Sequence, residues 1–452
     1  MKMSYVAVGV VIIIVVVAVA ALSLRSSGPS PPPTSENIEN IVMNHQAGGG
    51  LTVNHWWTIP VEAQAFNVAK NGMKSQYSNV AFTAVPVIGG SGGGMPPLIL
   101  PQIQAGNAPE SFQSHPGYEV ATYTGYLRSL NDLWAYDNFE QRTPEIIKDL
   151  CKTGSDYFIA PIGVHRTNMI WYNKQLFEDA GVTPPSDSIT FDQFWALCDE
   201  LKSKLPSGTY VLDLGDGQGT PWAATEVFET IMAGLDLKTY QDFINGVVTE
   251  NQLIPVLDNF KKFLSYVPSD HLARNWAEAC GLLSINNTAM YLHGDWVKGY
   301  FKNRGWEYGV QYGSFPAPGT SDEFGLVVDG FVVPKQAGNI GNGLRWIHSY
   351  TTVDVQSAFN PVKGSVSPYN DVPLTIYEDD YSKESAQTLQ NASIKFYPSL
   401  THGTALPNNV MFGLHTKISE FVLNQDVEAS ARNIIVDVLS KGTYTISWNI
   451  VS

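Results

Sequence analysis

The sequence predicts an α/β protein of two lobes, with helices added late in the chain and a cleft between the lobes. Three observations carry this. From Leu51 onward, short apolar or alternating runs that read as strands take turns with segments of helical periodicity, the pattern of α/β architecture. The C-terminal part then turns helical, with two long segments over residues 408–424 and 427–440. After the N-terminal segment about 400 residues remain, enough for two or three domains with large cores.

The chain is organised around Leu51-Thr-Val-Asn-His-Trp-Trp-Thr-Ile-Pro-Val-Glu62. Leu51 and Val53 alternate with polar neighbours as on a half-buried strand, and Phe66, Ala69, Met73 and Tyr77 then recur at helical spacing. In an open α/β sheet the end of a strand and the start of the next helix line the ligand crevice. Trp56, Trp57 and Glu62 therefore fall where small molecules bind. An indole offers an apolar plate to C–H faces and a carboxylate accepts from hydroxyls, a pairing that suits a sugar. The other reading is that the tryptophans simply fill core.

Composition narrows the function classes. Charged residues are 15% of the 452, and 27 Lys plus Arg stand against 42 acidic residues, for a net charge of −15. No basic stripe appears, which argues against nucleic acid as a partner. Aromatics reach 12%, with 11 Trp and 21 Tyr, more than a core needs and in keeping with a lined cleft. Cys151, Cys198 and Cys280 have no metal-ligand spacing, and no cofactor or metal is expected.

Tyr5 to Leu24 carries no charge, and about 20 residues at 1.5 Å each match the hydrocarbon core of a bilayer. With no clear cleavage site after it, residues 1–25 are expected to be a membrane anchor, holding the rest at the outer face of the cytoplasmic membrane. Residues 26–50 read as a Pro- and Gly-rich linker. Asn286-Asn-Thr288 and Asn391-Ala-Ser393 match N-glycosylation sequons, in keeping with an exported glycoprotein.

Further along, Asn79–Val87 reads as a strand and the Gly-rich stretch from Gly89 as a mobile loop, since it lacks the Gly-Lys-Ser/Thr of a phosphate loop. Leu98–Gly106 and Tyr118–Leu127 read as short helices, Ala108–His115 as a strand and Leu130–Leu133 as a turn. Tyr157–Asn173 reads as two strands around a bend, and Thr190-Phe-Asp-Gln193 as a capping box opening the helix Phe191–Lys204. Ala289–Trp296 is a strand ending in a turn, Gly325–Pro334 a strand, and Phe359–Ser365 an irregular loop.

Several of these segments together resemble the extracellular solute-binding proteins of ABC transporters, family 1. Tyr157–Lys174 is similar to their crossover segment and Gly294-Asp-Trp296 to a turn they share. The set is closer to glucose/mannose-binding members: Trp56, Trp57 and Glu62; Phe112, Gln113 and His115; His165, Arg166 and Asn168; Asp329 and Phe331; Phe359 to Ser365; Leu400, His402 and Gly403. The order holds over almost all of the chain after Leu51, and the N-terminal run looks like that of surface-tethered archaeal sugar binders. The resemblance implies a periplasmic-binding-protein-like fold of the class II type. Residues 51–163 and 329–364 would form one lobe, 164–328 and 365–452 the other. It implies hydrogen bonding to a monosaccharide, glucose first and then mannose or galactose, from Glu62, Gln113, His115, Asp329, Lys363 and His402. Trp56 or Trp57 and Trp276 would be the stacking plates, and an ABC permease the receiving partner.

The residue chemistry agrees: carboxylates accept, Lys donates and Gln or neutral His does both, as a pyranose requires. His165 and Arg166 read either as site residues or as hinge residues bonded to carbonyls. Asp295 reads first as a cap of the helix from Trp296. Trp296 is divided between core and the surroundings of the site, while Trp134, Trp195, Trp222 and Trp346 read as core. A surface glycosidase is the competing function, with Glu62 and Asp329 as its carboxylate pair.

Overall fold

Gly49–His55 is the strand that the alternation of Leu51 and Val53 predicts. It pairs in parallel with Val80–Pro86 on one side and Ser111–Ser114 on the other. Glu323–Val332 runs antiparallel to Ser111–Ser114 and to Ile159–Arg166, and parallel to Lys395–Pro398, completing a six-stranded sheet. Ile159–Arg166 and Glu323–Val332 are buried along their whole length, as their nearly continuous apolar sequence requires. A second, four-stranded sheet has the order Tyr312–Pro316, Met169–Asn173, Thr288–Leu292, Tyr210–Asp213.

This computed structural model describes residues 37–88, 94–185, 189–217, 221–391 and 393–450. Each sheet organises its own core. Phe66, Ala69 and Met73 of the helix Pro60–Gln76 pack with Trp346, Ile347 and Tyr350 on the first sheet. The helices Phe191–Lys204, Trp222–Leu235, Glu250–Leu264 and Asn408–Asn424 surround the second. Core residues change sides between Val164 and Met169, between Ala317 and Phe324, and again between Tyr377 and Tyr397, where Tyr381 already lies on the second core. The body is thus two-lobed.

Local chemistry explains several element ends. The Thr190 hydroxyl accepts from Gln193 N at 3.3 Å while Gln193 Oε1 accepts from Thr190 N at 2.9 Å, the reciprocal capping box. Asn173 caps the helix Lys174–Ala180 and its amide also bonds Leu283 O at 2.8 Å, tying the helix start to the neighbouring chain.

Other expectations are corrected. Among the described residues no helix is long and apolar enough to cross a membrane, and the expected anchor over residues 5–24 lies outside them. The N-terminal anchor, the membrane as a partner and tethering at the cell surface are therefore no part of the fold described. The Gly-rich stretch 89–93 also lies outside the described residues. Within the expected linker, Ile38–Val42 forms a helix whose Ile38, Ile41 and Val42 are buried, held by Arg345 Nε donating to Ile41 O at 2.8 Å. Tyr118–Ala121 is a single short helix, and Asn131–Tyr136 is helical where a turn was expected. Phe359–Ser365 is not an irregular loop but the end of the helix Val353–Lys363, closed by Gly364 at φ 84°. Pro361 would ordinarily break that turn. The Asn360 side chain donates to Gln356 O at 3.1 Å and Gln356 Oε1 at 2.9 Å, pinning the preceding turn.

Candidate functional site

Asp329 sits where the antiparallel register slips: Asp329 faces Gly163, but Gly330 faces Pro161. Such a bulge turns a side chain away from the regular pleat. Gly330 permits it, because a Cβ there would come within 2.7 Å of Ala160 O. Asp329 Oδ1 accepts from Gln113 Nε2 at 2.9 Å, and Gln113 Oε1 accepts from Trp56 N at 3.1 Å. The ends of three neighbouring strands are thereby joined through side chains.

Two histidines flank this carboxylate. His115 Nε2 is 3.6 Å from Asp329 Oδ1 and His165 Nε2 is 3.7 Å from Oδ2. Each is oriented from behind by another acid. His115 Nδ1 lies 2.8 Å from Glu119 Oε2, and His165 Nδ1 2.5 Å from Asp295 Oδ1. With Nδ1–H donating to a carboxylate, neutral His165 presents Nε2 as an acceptor, and Lys363 Nζ stands 3.1 Å from it. Burial first, then the Lys363 charge, hold His165 below its ordinary pKa, in agreement with that tautomer.

Lys363 also reaches Glu62 Oε1 at 3.3 Å and lies 5.6 Å from the centroid of the Trp57 ring. Burial raises the Glu62 carboxyl and the Lys363 ammonium opposes it. Glu62, Lys363, His165, Asp329, Gln113 and His115 are thus one connected network, with the Trp56 ring 4.7 Å from that of His115.

The second lobe supplies an aromatic wall. The His402 ring lies 5.8 Å from His115, 5.4 Å from Trp222 and 5.3 Å from Trp296. Its Nδ1 is 2.9 Å from Ser399 Oγ, and burial followed by the neighbouring His115 hold it well below its ordinary pKa, hence neutral. Behind this wall, His293 stacks on Trp222 at 5.3 Å and 18°, touches Trp276 at 5.7 Å, and sets Nδ1 2.5 Å from Glu226 Oε2. Burial raises the Glu226 carboxyl and lowers His293, so the pair is net neutral.

Trp56, Glu62, Gln113, His115, His165, Asp329 and Lys363 are therefore brought together, and His402 joins them through His115. Trp276 belongs to the aromatic wall through His293 rather than to the polar network. Trp57 lies in the first core against Phe66, Phe331 and Phe359. Arg166 does what a hinge residue would, donating to Glu323 O at 2.7 Å and Asn168 Oδ1 at 3.0 Å. Asp295 is not a helix cap: Trp296 holds the cap position of Val297–Asn303, and Asp295 orients His165 and accepts from Arg166 N at 3.1 Å. Trp222 belongs to the second core as expected, and its ring also meets His293 and His402. No spacing in the sequence singles out Glu119 or Glu226, whereas His293 stands in the stretch Tyr291-Leu-His-Gly-Asp-Trp296, next to the turn that carries the resemblance.

The two-lobed fold matches a known family. The model of the bacterial extracellular solute-binding protein family aligns with residues 58–357. The chain belongs to this family. An uncharacterized ABC transporter extracellular-binding protein of Pyrococcus horikoshii is 36% identical over 390 residues, 85% of this chain and 86% of that one. A probable sugar-binding periplasmic protein of Rhizobium meliloti is 28% identical over 393 residues, 84% of this chain and 92% of that one. Among solved structures, a chitin oligosaccharide binding protein shares the fold with a TM-score of 0.75 at 17% identity, over 87% of this chain and 99% of that one. Extracellular solute-binding proteins are non-catalytic transport components, so the chain is not an enzyme, and the glycosidase role for Glu62 and Asp329 falls away.

Proposed function

We propose that this solute-binding protein captures a monosaccharide between its lobes outside the cell and delivers it to the permease of an ABC transporter. Glucose is the first candidate, then mannose and galactose. The observation that carries this reading is the setting of Asp329, a buried carboxylate with Gln113, His115 and His165 around it and Lys363 Nζ 3.1 Å from His165 Nε2. Vicinal hydroxyls donate to carboxylates and accept from ammonium and amide groups, so adjacent acceptor and donor side chains suit a pyranose edge. Trp56 on one lobe and Trp296 on the other supply plates for its C–H faces. The sugar-binding description of the Rhizobium relative supports the same ligand class.

In this reading Glu62, Gln113, His115, His165, Asp329, Lys363 and His402 bond the sugar, with Trp56 and Trp296 on its flanks and Trp276 supporting the wall through His293. The hinge comprises the three passages between cores, and closure about it traps the ligand. Calorimetric titration with glucose, mannose, galactose and maltose tests the proposal. Micromolar or tighter binding of one monosaccharide is expected. Absence of heat with every sugar overturns it.

A further inference from the structure

Residues 443–450 belong to no helix and no sheet, yet every second side chain turns inward. Tyr444, Ile446, Trp448 and Ile450 are half-buried, while Thr443, Thr445, Ser447 and Asn449 are exposed. An extended backbone needs partners for its N–H and C=O groups. Here side chains supply them. The Tyr118 hydroxyl donates to Ile446 O at 3.0 Å and accepts from Ile446 N at 2.8 Å. Asn245 accepts from Trp448 N and donates to Trp448 O, both at 2.9 Å. Gln241 Oε1 accepts from Ile450 N at 2.8 Å. The segment is held as a peptide is held in a groove.

The groove spans both lobes. The Trp448 ring packs against both cores, and its indole N–H donates to Ala405 O at 3.0 Å. Gly246 makes room for Tyr444, since a Cβ there would come within 2.5 Å of that ring.

Two of the anchoring residues stand one step from the site. Tyr118 and Glu119 send their backbone N–H groups to Thr404 O and Gly403 O, each at 3.0 Å, and the Glu119 carboxylate orients His115. Ala405 N donates to Ser399 O at 3.1 Å, closing the loop that carries His402, and Ser399 Oγ contacts that imidazole. The C-terminal segment thus presses together the two backbone stretches that present His115 and His402, one from each wall.

We propose that residues 443–450 are a splint in which Ile446 and Trp448 act as positioning residues for His115 and His402, and so set how long a bound sugar is retained. This rests on the reading that those histidines line the sugar site.

Tyr118→Phe and Trp448→Phe in the full chain test it, because each removes a polar anchor and keeps an aromatic ring. Amide exchange at Tyr118 and Glu119 in the unliganded protein is expected to quicken in both variants. The sugar dissociation rate is expected to rise about tenfold, with association changed by less than about twofold. Thr445→Ala, on the exposed side, is expected to change neither. Unchanged exchange at Tyr118 and Glu119 overturns the splint whether or not any sugar binds. Faster exchange with unchanged sugar dissociation overturns its role in retention. Faster exchange in a protein that binds no sugar upholds the positioning and sinks the sugar-site reading instead.

Discussion

His165 Nδ1 lies 2.5 Å from Asp295 Oδ1, a contact between residues 130 apart that decides which face His165 offers to Lys363. Asp295 Oδ2 also accepts from Arg166 N and from the Tyr381 hydroxyl. Removing one member of a buried hydrogen-bonded charge set costs about 3–5 kcal/mol. Asp295→Ala is therefore expected to lower the thermal midpoint by several degrees and to weaken sugar binding at least tenfold. Asp295→Asn, which can still accept through one oxygen, should recover part of the stability. Melting curves and calorimetry on the two variants check this, and equal affinity in wild type and Asp295→Ala would detach His165 from the site.

Asp329 and Trp276 predict different kinds of loss. Asp329 is held by Gln113 and faced by two imidazoles, so Asp329→Ala strands the Gln113 amide donor as well as removing an acceptor. A buried unpaired donor costs about 1–3 kcal/mol, and affinity should fall about ten- to a hundredfold. Trp276 packs on His293, and Trp276→Ala is expected to weaken binding at least tenfold by loosening the aromatic wall. Sugar affinity equal to that of wild type in either variant removes that residue from the site.

Four buried groups contribute to an unusual pH profile of stability, with Glu226 shifted in the same direction as the carboxyls among them and His293 and His402 in that of the histidines. Burial raises Glu229 and Glu323 to about 8 and lowers His55 and His415 to about 4. A carboxyl whose folded pKa is raised contributes stability below its ordinary value, and loses it as pH rises from about 4.5 to about 8. A histidine whose folded pKa is lowered contributes above about 6.5, and loses it as pH falls toward about 4. Between about 4.5 and 6.5 the two pairs oppose one another; above that range the carboxyls act alone. The thermal midpoint is therefore expected to be highest in mildly acidic solution and to fall from pH 6.5 to 8. Replacing Glu229 and Glu323 by Gln should flatten that alkaline limb, which a series of melts at stepped pH reads directly. A midpoint that climbs from pH 6.5 to 8 would contradict these shifts.

What the sequence made legible was mostly local or strongly periodic. The capping box of Thr190 and Gln193 depends on residues three apart, and the strand through Leu51 and Val53 on a period of two, so both appear where expected. The polar residues Glu62, Gln113, His115, His165, Asp329 and Lys363 were nominated by resemblance, and their grouping could not follow from spacing alone. It depends on strand register and on the bulge at Asp329, which pairs residues more than a hundred positions apart. Phe359–Ser365 misled because Pro361 and Gly364 both signal a loop; the side-chain bonds of Asn360 are invisible in the sequence. Trp222 reads as core for a related reason, since an indole on an apolar helix gives no sign that its packing partner is the His293 imidazole.

The adjacent tryptophans give the sharpest separation of stability from binding. Trp57 is 1% exposed, with Phe331 at 5.9 Å and Phe359 at 5.4 Å, so it fills the first core. Trp56, one residue earlier on the same chain end, instead sets its ring 4.7 Å from His115. The strand ends at His55 and Thr58 N donates to Trp56 O at 2.8 Å, a tight turn about Trp57 that sends the two indoles to different surroundings. Trp57→Ala is expected to cost about 3–5 kcal/mol of stability, the range for emptying a large aromatic site. Trp56→Ala should shift the thermal midpoint by only a few degrees while weakening sugar binding at least tenfold. Melts and titrations on the two variants distinguish the roles. The opposite pattern, with binding lost in a stable Trp57→Ala protein, would make Trp57 the plate and Trp56 the packing residue.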